Sequence, residues 1–166
     1  MILVTVGNHS QPFDRLVKTM DELATHLNER VVIQRGCSKY KPQFAEHFQW
    51  TTSLQMEQLT EESRVVVGHA GSGTIIITIQ KGKPLVIVPR LKQYGEHFDD
   101  HQLQLARAME ARGRAIVVNQ PTIELMKDAI LKATSQISSY QKVYEQGPTL
   151  LIDALRRQLK IWLEQD

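Results

Sequence analysis

Short apolar runs alternate along this chain with longer stretches in which apolar residues recur every three or four positions. Residues 2–6 (ILVTV), 31–34 (VVIQ), 64–69 (RVVVGH), 84–89 (PLVIVP) and 115–119 (AIVVN) read as strands. Residues 12–29 carry Phe13, Leu16, Val17, Met20, Leu23, Ala24 and Leu27 at helical spacing, with Pro12 suited to a first helical turn. Further helices are expected over 54–63, roughly 73–81, 99–113, 122–137 and 149–165. Gly113 is placed to end one of them in a left-handed conformation, and Gly147-Pro148 separates the last two. Residues 36–53 give no clear signal. Continuous Val/Ile-rich strands interleaved with helices predict a single α/β domain over 1–166, a doubly wound, mostly parallel Rossmann-like sheet with helices on both faces.

Ligands of such sheets bind outside the carboxyl ends of the strands. Three turns stand at those ends. In "GHAGSGT" (68–74), glycines permit close backbone approach to an anion and the following helix N-terminus favours negative charge, while Ser72 and Thr74 add hydroxyl donors. The dinucleotide pattern counted from Gly71 needs glycine at 76, where Ile76 stands, and no Gly-Lys-Ser/Thr follows as in a P-loop. The plain alternative is a tight turn with Ser72 or Thr74 as helix cap. In "GEHFDDHQ" (95–102), His97 and His101 invite a metal reading, but the glutamate of the zinc-protease motif is missing. Asp, His and Gln together better suit a hydroxyl-rich ligand, and Asp99 and Asp100 also fit the first turn of a helix. In "GNHSQPF" (7–13), Gly7 can bring a backbone N–H to a ligand; the alternative is a turn capped by Ser10. No Gly-x-Ser-x-Gly elbow supports a nucleophilic serine.

Composition narrows the choice. The 166 residues suit one domain, with 42% apolar and 23% charged residues. A net charge of +2, from 20 Lys+Arg against 18 Asp+Glu, argues against nucleic acid as partner. Cys37 stands alone, so no intrachain disulfide forms. No apolar run reaches a signal sequence or a membrane span, which points to a cytoplasmic protein held at a membrane, if at all, by something else.

Together the three turns carry a family resemblance over nearly the whole chain. "VTVGNHSQPFDRLVKTMDEL", "VVVGHAGSGTIIITIQKGKPLVIVPR" and "GEHFDDHQLQLA" resemble the donor-binding half of a GT-B glycosyltransferase of family 28. The likeness is greater to the small PssE-type proteins of bacterial exopolysaccharide synthesis. The chain is also similar to the catalytic subunit of the split eukaryotic enzyme that adds N-acetylglucosamine to dolichol-linked sugars. The resemblance implies a UDP-sugar donor and no further cofactor or metal. It implies a diphosphate held by Gly7, His69, Gly71, Ser72, Gly73 and Thr74, and a donor sugar held by Pro89, Arg90, Glu96, His97, His101 and Gln102.

One GT-B half leaves the acceptor half to another chain. The resemblance therefore implies a PssD-like, membrane-anchored partner, a lipid-linked acceptor and peripheral membrane association through that partner; self-association is compatible with it. The general base of this inverting reaction is expected on the partner or at His9. Many relatives carry a ribose-binding glutamate eight residues after the His69 position, where this chain has Ile77. Alanine at His69 or Gly71 is expected to weaken UDP binding with little loss of stability, and alanine at Gln102 to affect the sugar more than UDP.

Overall fold

The computed structural model describes residues 1–136. Strands β1 (Ile2–Thr5), β2 (Val31–Gln34), β3 (Glu46–Phe48), β4 (Val65–Gly68), β5 (Leu85–Ile87) and β6 (Ile116–Val117) form one sheet in the order β3-β2-β1-β4-β5-β6. Every neighbouring pair is parallel. The chain winds outward from β1 to β3, then returns to lay β4 on the other side of β1. The strand order therefore reverses between β1 and β4, which is where such sheets open a ligand crevice.

Period-2 alternation divides the apolar residues between two cores. Ile2, Val4, Val31, Ile33, Val65, Val67 and Val86 face α1 (Asp14–Ala24) and α5 (Ile123–Ser135). Leu3, Val66, Leu85 and Ile87 face α2 (Ser53–Glu62), α3 (Ser72–Gln80) and α4 (His101–Ala111). The apolar stripe of α1 (Leu16, Val17, Met20 and Leu23) is fully buried. Strands buried on both faces hold the turns that follow them in place.

The element boundaries depart from the sequence pattern in instructive ways. Helix α1 starts at Asp14, with Phe13 as N-cap; its amide donates to Ser38 Oγ (3.1 Å), so neither Pro12 nor Ser10 opens the helix. It stops at Ala24, short of residue 29. Helix α4 covers 101–111 of the expected 99–113, and Gly113 turns left-handed after it (φ 62). The unsignalled stretch contains β3, an exposed polar edge strand. Two of its three side chains, Glu46 and His47, are polar and exposed, which leaves no apolar alternation by which the strand could be recognised. Instead, the fully buried Asp21 carboxylate accepts from Tyr40 Oη (2.8 Å) and from the amides of Gln43, Phe44 and Ala45 (2.8, 2.9 and 2.8 Å), fixing the approach to β3. Those bonds outweigh the effect of burial and hold Asp21 below the usual carboxylate range. The helix expected over 149–165 and the Gly147-Pro148 break lie outside the described residues. Among the described residues no helix is long and apolar enough to cross a membrane.

Candidate functional site

The turns after β1 and β4 meet through one imidazole. His69 follows the last residue of β4; its amide donates to Thr5 O (3.3 Å), and its ring lies between Gly7 and Gly71. A Cβ on Gly7, whose φ is +71°, would stand 2.4 Å from His69 Cε1, and a Cβ on Gly71 would stand 2.1 Å from Nε2. Only glycine fits either position. His69 is 8% exposed, and its Nδ1 has no hydrogen-bond partner among the described residues. Burial, reinforced by the nearby Arg90 charge, lowers its pKa to about 3, so the ring is neutral near pH 7 and any contact to a phosphate is that of a neutral N–H donor. Because a methyl on Gly71 meets this wedged ring, Gly71→Ala must disturb the fold as well, contrary to the sequence-based expectation of little loss of stability.

Helix α3 opens with donors that nothing in the described chain satisfies. Its N-cap is Gly71, which has no side chain to cap with, and the first intrahelical bond runs from Ile75 N to Gly71 O (3.1 Å). The amides of Ser72, Gly73 and Thr74 therefore have no partner among the described residues, nor do the Ser72 and Thr74 hydroxyls donate to any acceptor there. The alternative of a serine- or threonine-capped turn is thereby set aside. Helices α2 and α5 show what capping looks like in this fold: Thr52 Oγ1 accepts from Gln55 N and Thr122 Oγ1 from Leu125 N, each at 3.2 Å.

Beside this helix end lies a cavity of about 200 Å³. Thr5, Gly7, Asn8 and Gln34 line it from β1 and β2. Ser53, Met56, Glu57 and Thr60 line it from α2, and Gly73, Thr74, Ile77 and Thr78 from α3. Gln34 shapes its floor. Its Oε1 accepts from Thr5 Oγ1 (2.7 Å) and from the amides of Val6 and Gly7 (3.1 Å each), and its Nε2 donates to Gly7 O (3.1 Å). The sequence reading passed over Gln34; its signal was a lone amide ending the otherwise apolar strand VVIQ.

On the β5 side the predicted sugar-end residues are brought together, but several spend their polar atoms inside the fold. Arg90, fully buried, donates to the carbonyls of Val6 (2.7 Å), Gln11 (2.9 Å), Pro12 (3.3 Å) and Glu96 (3.0 Å). Burial lowers its pKa to about 10, which leaves it charged at pH 7. Glu96 receives Arg15 through Nε (2.9 Å) and Nη2 (2.8 Å), and the Leu91 amide (3.0 Å). Pro89 O accepts from Arg15 Nη2 (3.0 Å). Gln102 Oε1 accepts from Arg90 N (3.1 Å), which leaves its amide NH2 without a partner among the described residues.

Nearer the first turn, the Asp99 carboxylate stands 2.9 Å from His97 Nδ1 and 2.8 Å from His101 Nδ1. Burial opposes charge on Asp99, but the His101 amide and both imidazoles outweigh it and hold the carboxyl below its ordinary value. The His9 ring lies 4.6 Å from that of His97 and 5.5 Å from that of Phe98, which is 71% exposed. Burial, then His97 and Arg90, depress the His9 pKa, so it carries a neutral, proton-accepting imidazole near pH 7.

A parallel sheet in this order, with the turns after β1 and β4 meeting at its switch point, has the fold of one half of a GT-B glycosyltransferase. The glycosyltransferase of kitacinnamycin superposes on 95% of this chain with a TM-score of 0.65 and 20% identity, the match taking up 42% of that enzyme. MurG of Acinetobacter baumannii matches 94% of the chain at TM-score 0.60 and 17% identity, over 49% of its own length. The chain belongs to the glycosyltransferase family 28 C-terminal domain family, which matches residues 1–149. It is 30% identical over 123 residues to the human UDP-N-acetylglucosamine transferase subunit ALG13, covering 68% of this chain and 10% of that protein. It is 31% identical over 105 residues to the ALG13 subunit of Eremothecium gossypii, covering 62% and 50% respectively. To the UDP-N-acetylglucosamine–N-acetylmuramyl-(pentapeptide) pyrophosphoryl-undecaprenol N-acetylglucosamine transferase of Phenylobacterium zucineum it is 32% identical over 106 residues, covering 63% and 28%. The chain spans half or less of the length of each of these relatives.

Proposed function

We propose that this chain is the donor-binding, catalytic subunit of a two-component inverting glycosyltransferase. It would transfer a sugar from a UDP-sugar to a lipid-linked acceptor in bacterial exopolysaccharide or glycolipid synthesis. The observation that carries this reading is the N-terminus of α3, where three amides and two hydroxyls without partners among the described residues gather at the switch point beside a cavity. Gly7, His69, Gly71, Ser72, Gly73 and Thr74 then form the diphosphate cradle. The frame of Pro89, Arg90 and Glu96 sets the loop at the sugar end, where His97, His101 and Gln102 face hydroxyls.

In the reaction the acceptor oxygen attacks the anomeric carbon as the bond to the β-phosphate oxygen breaks. The charge released onto the diphosphate is stabilised by the α3 amides. The acceptor proton passes to a base, supplied by a PssD-like, membrane-anchored, acceptor-binding partner or by neutral His9. The partner would also bring this chain to the membrane from the cytoplasm. A non-catalytic subunit that only stabilises such a partner is the competing reading, and the apolar Ile77 beside the cradle favours it. Calorimetry of the full chain with its partner separates the two: UDP and UDP-sugar binding is expected, and its absence removes the enzyme reading.

A further inference from the structure

Resting on the donor reading above, the geometry points to one further residue: we infer that the cavity beside α3 is a nucleoside subsite in which Glu57 accepts the hydroxyls of the ribose. Among the described residues Glu57 is the only charged one lining the cavity, and its carboxylate has no hydrogen bond or ion pair there. The other groups that could accept a ligand's hydroxyl are largely committed. Gln34 is bound to the Gly7 turn, and the Thr60 and Thr78 hydroxyls donate to the carbonyls one helical turn back (2.8 and 2.7 Å). Opposite, Ile77 leaves the α3 wall apolar, and Met56 extends that apolar surface.

Size and charge select the occupant. At about 200 Å³ the cavity falls below the ~300–1,000 Å³ of pockets that enclose a whole drug-sized ligand, so it takes a part of one. The positive end of the α3 dipole disfavours a cation there, and Glu57 disfavours an anion. What remains is a neutral group that donates hydrogen bonds to a carboxylate while continuing outward into an anion at the α3 N-terminus. A ribose fits: its adjacent 2′- and 3′-hydroxyls match the two carboxylate oxygens, and its 5′-oxygen leads to the phosphates.

The test is titration calorimetry of the full chain with UDP, 2′-deoxy-UDP and inorganic pyrophosphate, repeated on Glu57→Ala. Glu57 is exposed and has no partner, so the variant is expected to keep its melting temperature. The wild type is expected to prefer UDP to 2′-deoxy-UDP about tenfold, as for the loss of one hydrogen bond to a charged group. Glu57→Ala should bind UDP at least about tenfold more weakly, lose the preference for the 2′-hydroxyl and bind pyrophosphate unchanged. If the variant keeps wild-type UDP affinity or the 2′ preference, the assignment of Glu57 is overturned while the diphosphate cradle stands. If the wild type binds neither UDP nor pyrophosphate, the donor reading fails and this inference falls with it.

Discussion

On the β5 side of the cleft, Arg90 donates to four backbone carbonyls while Glu96 receives both Arg15 and the Leu91 amide. On the β1–β4 side, the first amides of α3, the Ser72 and Thr74 hydroxyls and His69 Nδ1 have no such partners among the described residues. Both sides are polar, yet hydrogen-bonding capacity is consumed by the fold on one and left available on the other. Donors left unpaired cost stability in the empty protein and gain their compensation from a ligand. The contrast separates residues whose loss unfolds the frame from residues whose loss weakens binding, although the sequence presents both groups in similar glycine- and histidine-rich turns.

The largest effect is expected at the frame. Arg90→Ala leaves four carbonyls without their donor in a buried position and should cost about 4 kcal/mol by chemical denaturation. A variant that kept full stability while losing UDP-sugar affinity would erase the distinction between the two sides. Next, Gly71→Ala drives a methyl into the His69 ring; about 2–3 kcal/mol of stability should go, as for overpacking elsewhere, together with UDP affinity. Both readouts move together here, because His69 props up the cradle from beneath.

A pH titration tests that wedge without altering its neighbours. His69 has its folded pKa lowered to about 3, so below pH 6.5 the unfolded chain takes up a proton that the folded chain refuses. Stability must therefore fall as the pH drops through the unfolded value, by about 1 kcal/mol between pH 7 and 5.5. His9, shifted the same way, adds to this slope. Arg90, with a pKa of about 10, is silent in this window. Denaturation midpoints at the two pH values should converge in His69→Gln; an unchanged slope in that variant would mean that the imidazole is not held neutral.

How much of this was legible in the sequence follows from the range of the interactions. The continuous apolar run of Val65, Val66 and Val67 and the spacing of Leu16, Met20 and Leu23 are local patterns, so the sheet, the helices and the glycine turn between β4 and α3 could be read directly. The edge strand β3 could not, because it depends on Asp21 and on the Arg30–Glu46 ion pair (2.7 Å), polar contacts 16 or more residues apart. Arg90 was placed by resemblance at the sugar end, but its bonds to Val6 and Gln11 span 84 and 79 residues and appear in no local pattern. Gln34 and Glu57 were missed for a related reason. Each stands on an element whose other residues state a structural purpose, and only the closure of the sheet brings them to one cavity.

The smallest effects give the most direct comparison, because the chemistry can be held constant. Ser38 and Ser72 both lie near a helix start, and serine-to-alanine removes the same hydroxyl from each. Ser38 Oγ accepts from Phe13 N at the head of α1 (3.1 Å), whereas Ser72 Oγ at the head of α3 has no partner among the described residues. Ser38→Ala should cost about 1 kcal/mol of stability, the value of a buried hydrogen bond, and leave UDP affinity unchanged. Ser72→Ala should shift stability by less than about 0.5 kcal/mol and weaken UDP several-fold. Thermal melts and calorimetry on the two variants decide the matter. If the readouts are exchanged, or if Ser72→Ala changes neither, the free hydroxyl at α3 is not reserved for a ligand and the contrast between the two sides of the cleft loses its functional meaning.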